Sequence, residues 1–379
     1  MRFEEAYQGW NQGRLTQEEA AQILGVCERS FRRYVTRFEA EGLDGLIDQR
    51  LAQMAHRAAP VDEVMALTDH YRKRHSGWNV KHYLNWYRKD GGVRSYSWVK
   101  QRLQEAGLVK KKSLRSAHRK RRECSPLPGM MIHQDGSTHE WIAGQKWDLI
   151  VTMDDATNEH YAMTFVDEEG TVSSFDGVKA VIQQHGVFST FYSDRGSHYW
   201  TTPEAEGKVD KENLTQFGRA LSQLQIRMIA AYSPEARGRS ERAFKTHQGR
   251  LPQELKLAKI KTMVTANRYL HEVYLPAFNA EFSHPAAEEG SAFIPWIGGN
   301  LDDILCEQIE RTVGNDNCVS FEKLKLQIPA DRHRHHYVKT KVRVHRYGDG
   351  NLAIFHGPRK LADYTREGEP ITQNLKQAA

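Results

Sequence analysis

The spacing of hydrophobic and polar residues changes twice along the chain of 379 residues. Up to about residue 108, helix-compatible runs are separated by glycines, which predicts short helices. Between residues 130 and 260, apolar runs typical of buried strands alternate with helical stretches, which predicts an α/β domain. From residue 312 onward, short runs alternate apolar and polar residues, which predicts a small antiparallel β-domain.

Residues 1–50 predict a helix-turn-helix domain. Thr16-Gln-Glu-Glu19 matches a capping box, so a helix should begin after Thr16. Ala21, Gly25 and Phe31 stand where the motif needs a small residue, a turn glycine and a buried apolar residue. The next helix, from about residue 28 to 41, carries four arginines that we predict to contact DNA: Arg29, Arg32, Arg33 and Arg37. An ordinary three-helix bundle with a solvated basic face is the alternative, but the turn spacing and the arginines together favour DNA binding.

A second helical DNA-binding unit is predicted over residues 60–108. Three helices are expected there, over residues 61–75, 80–89 and 97–106. Lys100 and Arg102 are the predicted DNA contacts of this unit. The aromatic residues Trp78 and Tyr83 fit a core better than a base-stacking surface.

The chain's clearest linker is predicted over residues 109–129. Its first fourteen residues contain eight lysines or arginines and no acidic residue. Like charges keep such a segment extended until phosphates neutralise them. A solubilising tether is the alternative, but the linker's place between the helical units and the α/β domain favours DNA contact. The predicted contacts are Lys110, Lys111 and Lys112.

The α/β domain is predicted over residues 130–260. Strands are expected over residues 131–135, 146–154, 161–166, 187–192 and 226–230, with a helix over residues 172–185. Asp135 and Asp194 each end or follow an apolar strand-like run, and Glu241 lies on a later helix-compatible run that continues unbroken to residue 257. Lys245 and Gln248 share the helical face of Glu241.

Carboxylates at strand ends and on a later helix can converge on two divalent cations. Two such metals stabilise both the entering and the leaving oxygen of a phosphoryl displacement, and oxygen ligands suit Mg²⁺ or Mn²⁺. For the Glu241 segment alone, a solvated helix face with a Glu–Lys pair is the alternative. The adjacent pair Asp154-Asp155 is predicted to make the turn to the next strand instead. His198 is predicted to position DNA or the nucleophile, because a hard cation does not need imidazole.

These acidic segments resemble the integrase-core DDE transposases of bacterial insertion sequences, the ISNCY type in particular. The resemblance rests on Gln-Asp135-Gly-Ser-x-His-Glu-Trp141, on Tyr-Ser-Asp194-Arg-Gly-Ser-His198, and on Ser-Pro-x-x-x-Gly-Arg-x-Glu241-Arg. It implies a ribonuclease-H-like core whose first three strands form an antiparallel meander. It also implies that Asp135, Asp194 and Glu241 are catalytic and hold two Mg²⁺ or Mn²⁺ ions, and that Lys245, Gln248 and His198 orient DNA.

Two features depart from the family pattern. The interval of 47 positions between Asp194 and Glu241 is longer than usual, and a polar insertion over residues 201–213 accounts for the excess. Many relatives carry lysine or arginine seven residues after the glutamate, where this chain has Gln248. This second departure concerns the predicted DNA contact of Gln248 and does not concern the metal ligands.

Beyond the α/β domain we predict a helical connector (residues 261–311), a small antiparallel β-barrel (312–365) and a tail (366–379). The fold class is therefore multidomain: all-α helix-turn-helix units, a central α/β ribonuclease-H-like integrase core, and a C-terminal β-barrel. A net charge of +6 and a pI near 9.0 favour polyanionic partners. The four cysteines are scattered, which argues against a zinc site or disulfides, and no apolar run reaches membrane-span length. We expect a bacterial cytoplasmic protein that joins the nucleoid when bound to DNA.

The function predicted from sequence is transposition. The protein would bind the terminal inverted repeats of an insertion sequence, cleave the ends, and join the 3′-hydroxyl to target DNA as a homodimer or larger assembly. Two alternatives remain open at this stage. One is a catalytically idle DNA-binding regulator, which the intact acidic triad disfavours. The other is a metal-dependent nuclease without strand transfer, which would use the same site.

Overall fold

The structure, a computed structural model, describes residues 2–47, 59–111, 123–203, 207–232, 238–330 and 333–371. The chain divides into two compact units, which are described separately. The first comprises residues 1–76 and 94–110, and the second comprises residues 77–93 and 111–379. Lys112 and the rest of the predicted linker up to residue 122 lie outside the described residues, as does the tail after residue 371.

The first unit begins with the predicted helix-turn-helix. Its helices are α1 (Arg2–Asn11), α2 (Gln17–Ile23) and α3 (Glu28–Glu41), and a short 3₁₀ turn follows (Gly42–Leu46). The capping box is confirmed, because the Glu19 amide donates to Thr16 Oγ1 and the Thr16 amide donates to the Glu19 carboxylate. Gly25 takes a positive φ of 69° between α2 and α3, a conformation that favours glycine. Ala20, Ala21 and Phe31 are buried, as the motif requires.

Three further helices follow within two residues of their predicted bounds: α4 (Val61–Arg74), α5 (Val80–Lys89) and α6 (Tyr96–Glu105). Helices α4 and α6 belong to the first unit, where the Arg94 guanidinium donates to the Glu63 carboxylate. Helix α5 clusters with the second unit. There, His82 Nε2 lies 2.6 Å from the Glu254 carboxylate and Asn85 donates to Glu281. Trp78 and Tyr83 are buried, which agrees with the predicted core role.

The centre of the second unit is a five-stranded sheet in the order β3-β2-β1-β4-β5. Its strands are β1 (Ile132–Ile142), β2 (Gln145–Asp154), β3 (His160–Val166), β4 (Thr190–Ser193) and β5 (Arg227–Ala230). Strands β1, β2 and β3 form an antiparallel meander, whereas β4 runs parallel to β1 and β5 runs parallel to β4. This order and direction are those of the ribonuclease-H-like fold.

Each face of the sheet covers its own apolar core. On one face, α7 (Thr171–His185) and α8 (Gln216–Gln223) pack over a cluster that includes Ile132, Phe191 and Phe217. On the other face, helices from the C-terminal half of the core pack over Leu149, Val151 and Met153 of β2. Because side chains alternate along a strand, each residue of β1 can be assigned to one of these faces through its β2 partner.

The length of β1 differs from the prediction. Asp135 was expected at the end of its strand, but β1 continues to Ile142 and pairs with β2 through Gln145. The polar segment after Asp135 extends because a tight turn at Gly144, with a φ of 77°, folds β2 back against it. Antiparallel pairing thus overrides the loss of apolar residues that suggested a strand end.

The helix that carries Glu241 is also shorter than predicted. It consists of α9 (Gly238–Gln248), and a separate α10 (Leu251–Leu257) follows after a break at Gly249 and Arg250. Pro252 lies in the first turn of α10, and its missing amide proton cannot continue the hydrogen bonds of α9. Helices α11 (Met263–Tyr269) and α12 (Leu275–Phe282) follow, joined by a π-helical turn (Leu270–Tyr274).

The C-terminal part of the second unit is the predicted small antiparallel β-domain. A four-stranded sheet in the order β11-β10-β9-β6 and a two-stranded hairpin β7-β8 enclose one apolar core that includes Val319, Leu326, Val344 and Ile354. The strands are β6 (Glu307–Thr312), β7 (Cys318–Phe321), β8 (Leu324–Gln327), β9 (Lys341–Arg346), β10 (Leu352–His356) and β11 (Arg359–Tyr364). Strands β6 and β7 were not predicted from the sequence. In the described ranges, no helix is both long and apolar enough to span a membrane.

Candidate active site

Asp135 lies within β1, and Asp194 directly follows the neighbouring parallel strand β4. The register pairs His133 of β1 with Tyr192 of β4, and each aspartate follows its paired residue by two positions. Parallel strands are about 4.8 Å apart, and residues two positions on return to the same face. Both carboxylates therefore belong to the sheet face that Val151 also lines, since Val151 is the β2 partner of Asp135.

Local hydrogen bonds hold the Asp194 loop. Asp194 Oδ1 accepts a bond of 2.8 Å from the Gly196 amide. The Ser193 hydroxyl donates to the Asp194 carbonyl oxygen (2.9 Å) and accepts from Trp200 Nε1 (3.1 Å). Asp135 is 7% exposed, so it opens to solvent only at its edge. Asp135 Oδ1 accepts a bond of 3.1 Å from the Gly136 amide.

Glu241 lies on the helix that packs over the same face of the sheet. At the end of α9, Gln248 Nε2 donates a bond of 3.0 Å to Ser137 Oγ, and Ser137 lies two residues beyond Asp135 on β1. The opposite stripe of α9 is buried through Ala243, Phe244 and His247, which leaves Glu241 exposed. All three acids are thus on one side of the core.

The three acids do not form a closed metal cluster in this structure. Among the described residues, no group of three or more His, Cys, Asp or Glu side chains is close enough to hold a metal ion. The aspartate pair supplies the hard oxygen donors that Mg²⁺ and Mn²⁺ prefer. A three-carboxylate shell would additionally require the exposed Glu241 side chain to approach the aspartates.

A fourth carboxylate, Glu169, contacts β1 from the face opposite Asp135 and was not predicted. A Cβ atom built on Gly136 would come within 2.1 Å of Glu169 Oε2, and side chains at positions 135 and 136 point to opposite faces of the sheet. Glu169 Oε1 is 3.4 Å from His198 Nε2, although the angle does not make this contact a hydrogen bond. The His198 ring in turn lies over Gly196 beside Asp194. His198 therefore lies between Glu169 and Asp194.

Tyr199 connects the same groups from the interior. Its hydroxyl donates to Gln134 Oε1 (2.9 Å) and lies 3.4 Å from Glu169 Oε1. Burial raises the pKa of Tyr199 well above its usual value, and the negative charges of Glu169, Asp135 and Asp194 add to this effect. The phenol therefore stays protonated and serves as a fixed hydrogen-bond donor at the back of the site.

The Asp154-Asp155 pair has the predicted turn role in part. Asp154 Oδ2 accepts from the amides of Ala156 and Thr157, both at 2.9 Å, which makes the turn between β2 and β3. Asp155 differs, because it is 1% exposed and is enclosed by donors. Burial alone would raise its pKa, but the His133 imidazole, the Ser125 amide and the Arg239 charge together hold the pKa well below its ordinary value. Asp155 is thus an ionised, buried carboxylate.

Comparisons with known proteins decide the family. A family model described as "Winged helix-turn helix" matches residues 5–63. "Putative transposase y4bF" of Sinorhizobium fredii is 30% identical over 354 residues, which cover 90% of this chain and 75% of that protein. The chain belongs to the transposases of bacterial insertion sequences. The transposase for insertion sequence IS1202 of Streptococcus pneumoniae is 27% identical over 257 residues, 66% of this transposase and 54% of that protein.

Two solved structures resemble the fold only weakly. One is the simian T-cell lymphotropic virus intasome with the PP2A regulatory subunit B56 gamma, at 13% identity and a TM-score of 0.36, covering 69% of this chain and 84% of that one. The other is the HTLV-2 integrase catalytic core domain with magnesium in its dimeric form, at 14% identity and a TM-score of 0.30, covering 39% of this chain and 89% of that one. The fold assignment therefore rests on the strand order of the transposase itself.

The predicted DNA contacts of the transposase differ in their surroundings. The α3 arginines are all exposed: Arg29, Arg32, Arg33 and Arg37. Lys100, Lys110 and Lys111 are exposed as well. Arg102 is half-buried and pairs with Glu105 at 2.7 Å, so part of its charge is neutralised within α6.

The contacts predicted around Glu241 also differ from one another. Lys245 is exposed on the outer stripe of α9, where it is accessible to a phosphate. Gln248 instead bonds to Ser137, which links α9 to β1. His198 is half-buried between Glu169 and Asp194, so it faces the site rather than an outer surface.

Proposed function

We propose that this transposase binds the terminal inverted repeats of an insertion sequence, hydrolyses a phosphodiester bond at each end, and joins the freed 3′-hydroxyl to target DNA. The placement of Asp135 and Asp194 supports this most directly. Asp135 lies within β1 and Asp194 directly follows the adjacent parallel strand β4, so the two carboxylates offer hard oxygen donors on the sheet face over which α9 packs.

Asp135, Asp194 and Glu241 would hold two Mg²⁺ or Mn²⁺ ions. Bound there, the ions would lower the pKa of the attacking water or hydroxyl and stabilise the charge on the phosphate. Lys245 would orient the DNA backbone, and His198 would position the scissile phosphate beside Asp194. Gln248 would fix the helix rather than read DNA, because its amide is already engaged by Ser137.

DNA affinity would come from residues outside this centre. The exposed arginines of α3 would enter a major groove of the terminal repeat, while Lys110, Lys111 and Lys112 would neutralise phosphates. Each element has two ends that must be processed together, so we propose a homodimer or larger assembly on DNA. The two alternatives, an idle regulator and a nuclease without strand transfer, differ from transposition in the products they give.

The substitution Asp194→Asn tests this assignment. It keeps the size of the side chain but removes the charge that a hard cation needs, so nicking and joining of terminal-repeat DNA should be lost. Binding should remain close to that of the wild type, because the affinity comes from other residues. The measurement is a gel-shift titration beside a Mn²⁺ cleavage assay that maps nicks and joined products.

The matched control is Asp349→Asn, which removes the same charge from an exposed turn of the β-domain and should cleave normally. Wild-type-level cleavage by Asp194→Asn would remove Asp194 from the mechanism. Wild-type protein that nicks without joining would indicate a nuclease, and specific binding without nicking would indicate a regulator.

A further inference from the structure

Asp155 is the centre of a buried charge network next to the active site. Its Oδ2 accepts from the Ser125 amide (2.7 Å) and from the Ser125 hydroxyl (2.9 Å). Its Oδ1 lies 2.7 Å from His133 Nε2 and also accepts from Arg239 Nη1. An ionised carboxylate at this depth persists only if such donors surround it, so each partner is held firmly in place.

Arg239 ties the first turn of α9 to this network. Its guanidinium donates to the Asp155 carboxylate and, at 2.8 Å, to the Asp155 carbonyl oxygen. A second nitrogen contacts Cys124 Sγ at 3.0 Å. Arg239 precedes Glu241 by two residues on α9, so this contact fixes the end of the helix from which Glu241 projects. The other end is fixed by the bond between Gln248 and Ser137.

His133 ties the network to β1. It precedes Asp135 by two residues on the same strand, and the alternation of side chains places both on one face of the sheet. The imidazole is 3% exposed and packs against the Tyr192 ring, with centroids 4.8 Å apart. Asp155 is therefore bonded to the residue two positions before Asp135 and to the residue two positions before Glu241.

We propose that Asp155, Arg239 and His133 are positioning residues that set the place of Glu241 relative to Asp135. This proposal rests on the proposed function, in which both carboxylates hold metal ions. Among the described residues no group of three or more such side chains is placed to hold a metal ion, so the network acts on the elements that carry the two acids. It also reaches Cys124 and Ser125, which belong to the last part of the predicted linker, so the same carboxylate connects that part to α9.

Arg239→Lys is the sharpest probe of this network. Lysine keeps the positive charge, so Asp155 is not left as an unpaired buried ion, but it lacks the planar fork that contacts Asp155 and Cys124 together. Arg239→Ala removes both charge and fork. Arg268→Ala is the matched control, because Arg268 is an exposed arginine on α11.

Six quantities are measured on the full chain. Paramagnetic resonance of the free ion gives Mn²⁺ binding in the presence of terminal-repeat DNA, and a gel shift gives DNA affinity. Nicking assays give kcat and the Mn²⁺ concentration for half-maximal nicking, and the last two quantities are hydrogen exchange of the α9 amides and thermal unfolding. We expect Arg239→Lys to weaken Mn²⁺ binding by about tenfold and Arg239→Ala by up to about a hundredfold. Exchange in the first turn of α9 should accelerate, while DNA affinity stays within a factor of about two, because the charges that bind DNA are unchanged.

The proposal is overturned if Arg239→Lys binds Mn²⁺ and nicks like the wild type, or if it only lowers the unfolding temperature while Mn²⁺ affinity is unchanged. If Arg239→Ala does not fold, Arg239→Lys still decides the matter. Failure of the proposed function has a different signature, since the wild type itself would then neither nick DNA nor bind Mn²⁺.

Discussion

Glu169 is a residue whose place in the fold gives it a role at the site. Its carboxylate occupies the space that any side chain at position 136 would need, and it lies 3.4 Å from the His198 imidazole. The glycine at position 136 thus admits a carboxylate on the face of β1 opposite Asp135, within reach of His198. We expect Glu169 to act by holding His198 against Asp194.

Substitution of Glu169 tests this role. Glu169→Gln keeps the shape but removes the charge facing His198, so kcat for nicking should fall by about tenfold with little change in the KM for DNA. Gly136→Ala should have a similar effect, because its methyl group would displace the Glu169 carboxylate. Steady-state nicking kinetics provide the measurement. Glu168→Gln, at the exposed neighbouring position, is the control, and an equal fall in kcat for this variant would contradict a specific role for Glu169.

From the sequence, only the acids that stand in a distinctive local context were predicted to be catalytic. Asp135, Asp194 and Glu241 each stand in a recognisable segment, whereas Glu169 ends the run Asp167-Glu168-Glu169, which has the pattern of a polar turn. Which of three adjacent acids folds back onto Gly136 depends on the packing of α7 against β1. Asp155 likewise looked like a turn residue, and only its burial reveals the ion network.

Among the elements, α9 is held against the sheet by a chain of hydrogen bonds through two buried histidines. His160 Nε2 lies 3.1 Å from His247 Nε2. His160 Nδ1 faces the Asn158 carbonyl oxygen (3.1 Å), and His247 Nδ1 faces the Tyr274 hydroxyl (3.0 Å). All three contacts are satisfied when both rings are neutral, with Tyr274 donating to His247, His247 to His160, and His160 to the Asn158 carbonyl oxygen. A proton added to either ring would break this chain.

This pair predicts a loss of stability in mild acid. Burial lowers the pKa of His160 to about 4 and that of His247 well below its usual value. In the unfolded chain both titrate near pH 6.5, so between about pH 6.5 and 4 only the unfolded state takes up the protons, and the free energy of unfolding falls as the pH falls. His160 alone should account for about 3 kcal/mol across this window. Urea denaturation at a series of pH values measures the effect.

A comparison of variants isolates this contribution. His345 in the β-domain, whose burial lowers its pKa to about 3, adds to the same window. The informative quantity is therefore the change in slope on His160→Gln, which should flatten the dependence of stability on pH between about 4 and 6.5. His271→Gln, at an exposed position, should leave the slope unchanged. Identical slopes for wild type and His160→Gln would contradict the assignment.

The elements themselves were predicted well where local signals decide them. The capping box at Thr16 and the glycine at position 25 placed α2 and α3 because both act within a few residues. The length of β1 depends on its antiparallel pairing with β2, and the break after α9 depends on Pro252; both predictions were wrong. Strand β6 was missed because it is polar on its exposed stretch and pairs with β9, far along the chain.

For the whole molecule, the sequence predicted the order of domain types and the sheet topology of the core. The residue boundaries of the domains stay predictions. The structure adds that α5 clusters with the second unit, whereas α4 and α6 belong to the first unit. No local pattern distinguishes these helices, since all three are short and bear basic residues. Contacts such as those of His82 with Glu254 and of Asn85 with Glu281 reveal where α5 packs.

The distribution of positive charge over the molecule leads to a last prediction, about two ways of binding DNA. Arg33 is exposed on α3, the proposed recognition helix, so Arg33→Ala should reduce affinity for terminal-repeat DNA by about 1–3 kcal/mol and affect random DNA less. Lys111 is exposed in the basic segment, so Lys111→Ala should weaken all DNA alike. It should also lower the slope of log affinity against log salt by about 0.9, as one fewer phosphate is neutralised.

Titrations of both DNAs at several salt concentrations separate these outcomes, and each variant serves as the control for the other because each loses one positive charge. A base-reading arginine changes the ratio of specific to random affinity, whereas a phosphate contact leaves that ratio unchanged and acts through counterion release. Equal losses on specific and random DNA for Arg33→Ala would show that α3 contacts only the backbone. Recognition of the terminal repeat would then have to come from another part of the chain.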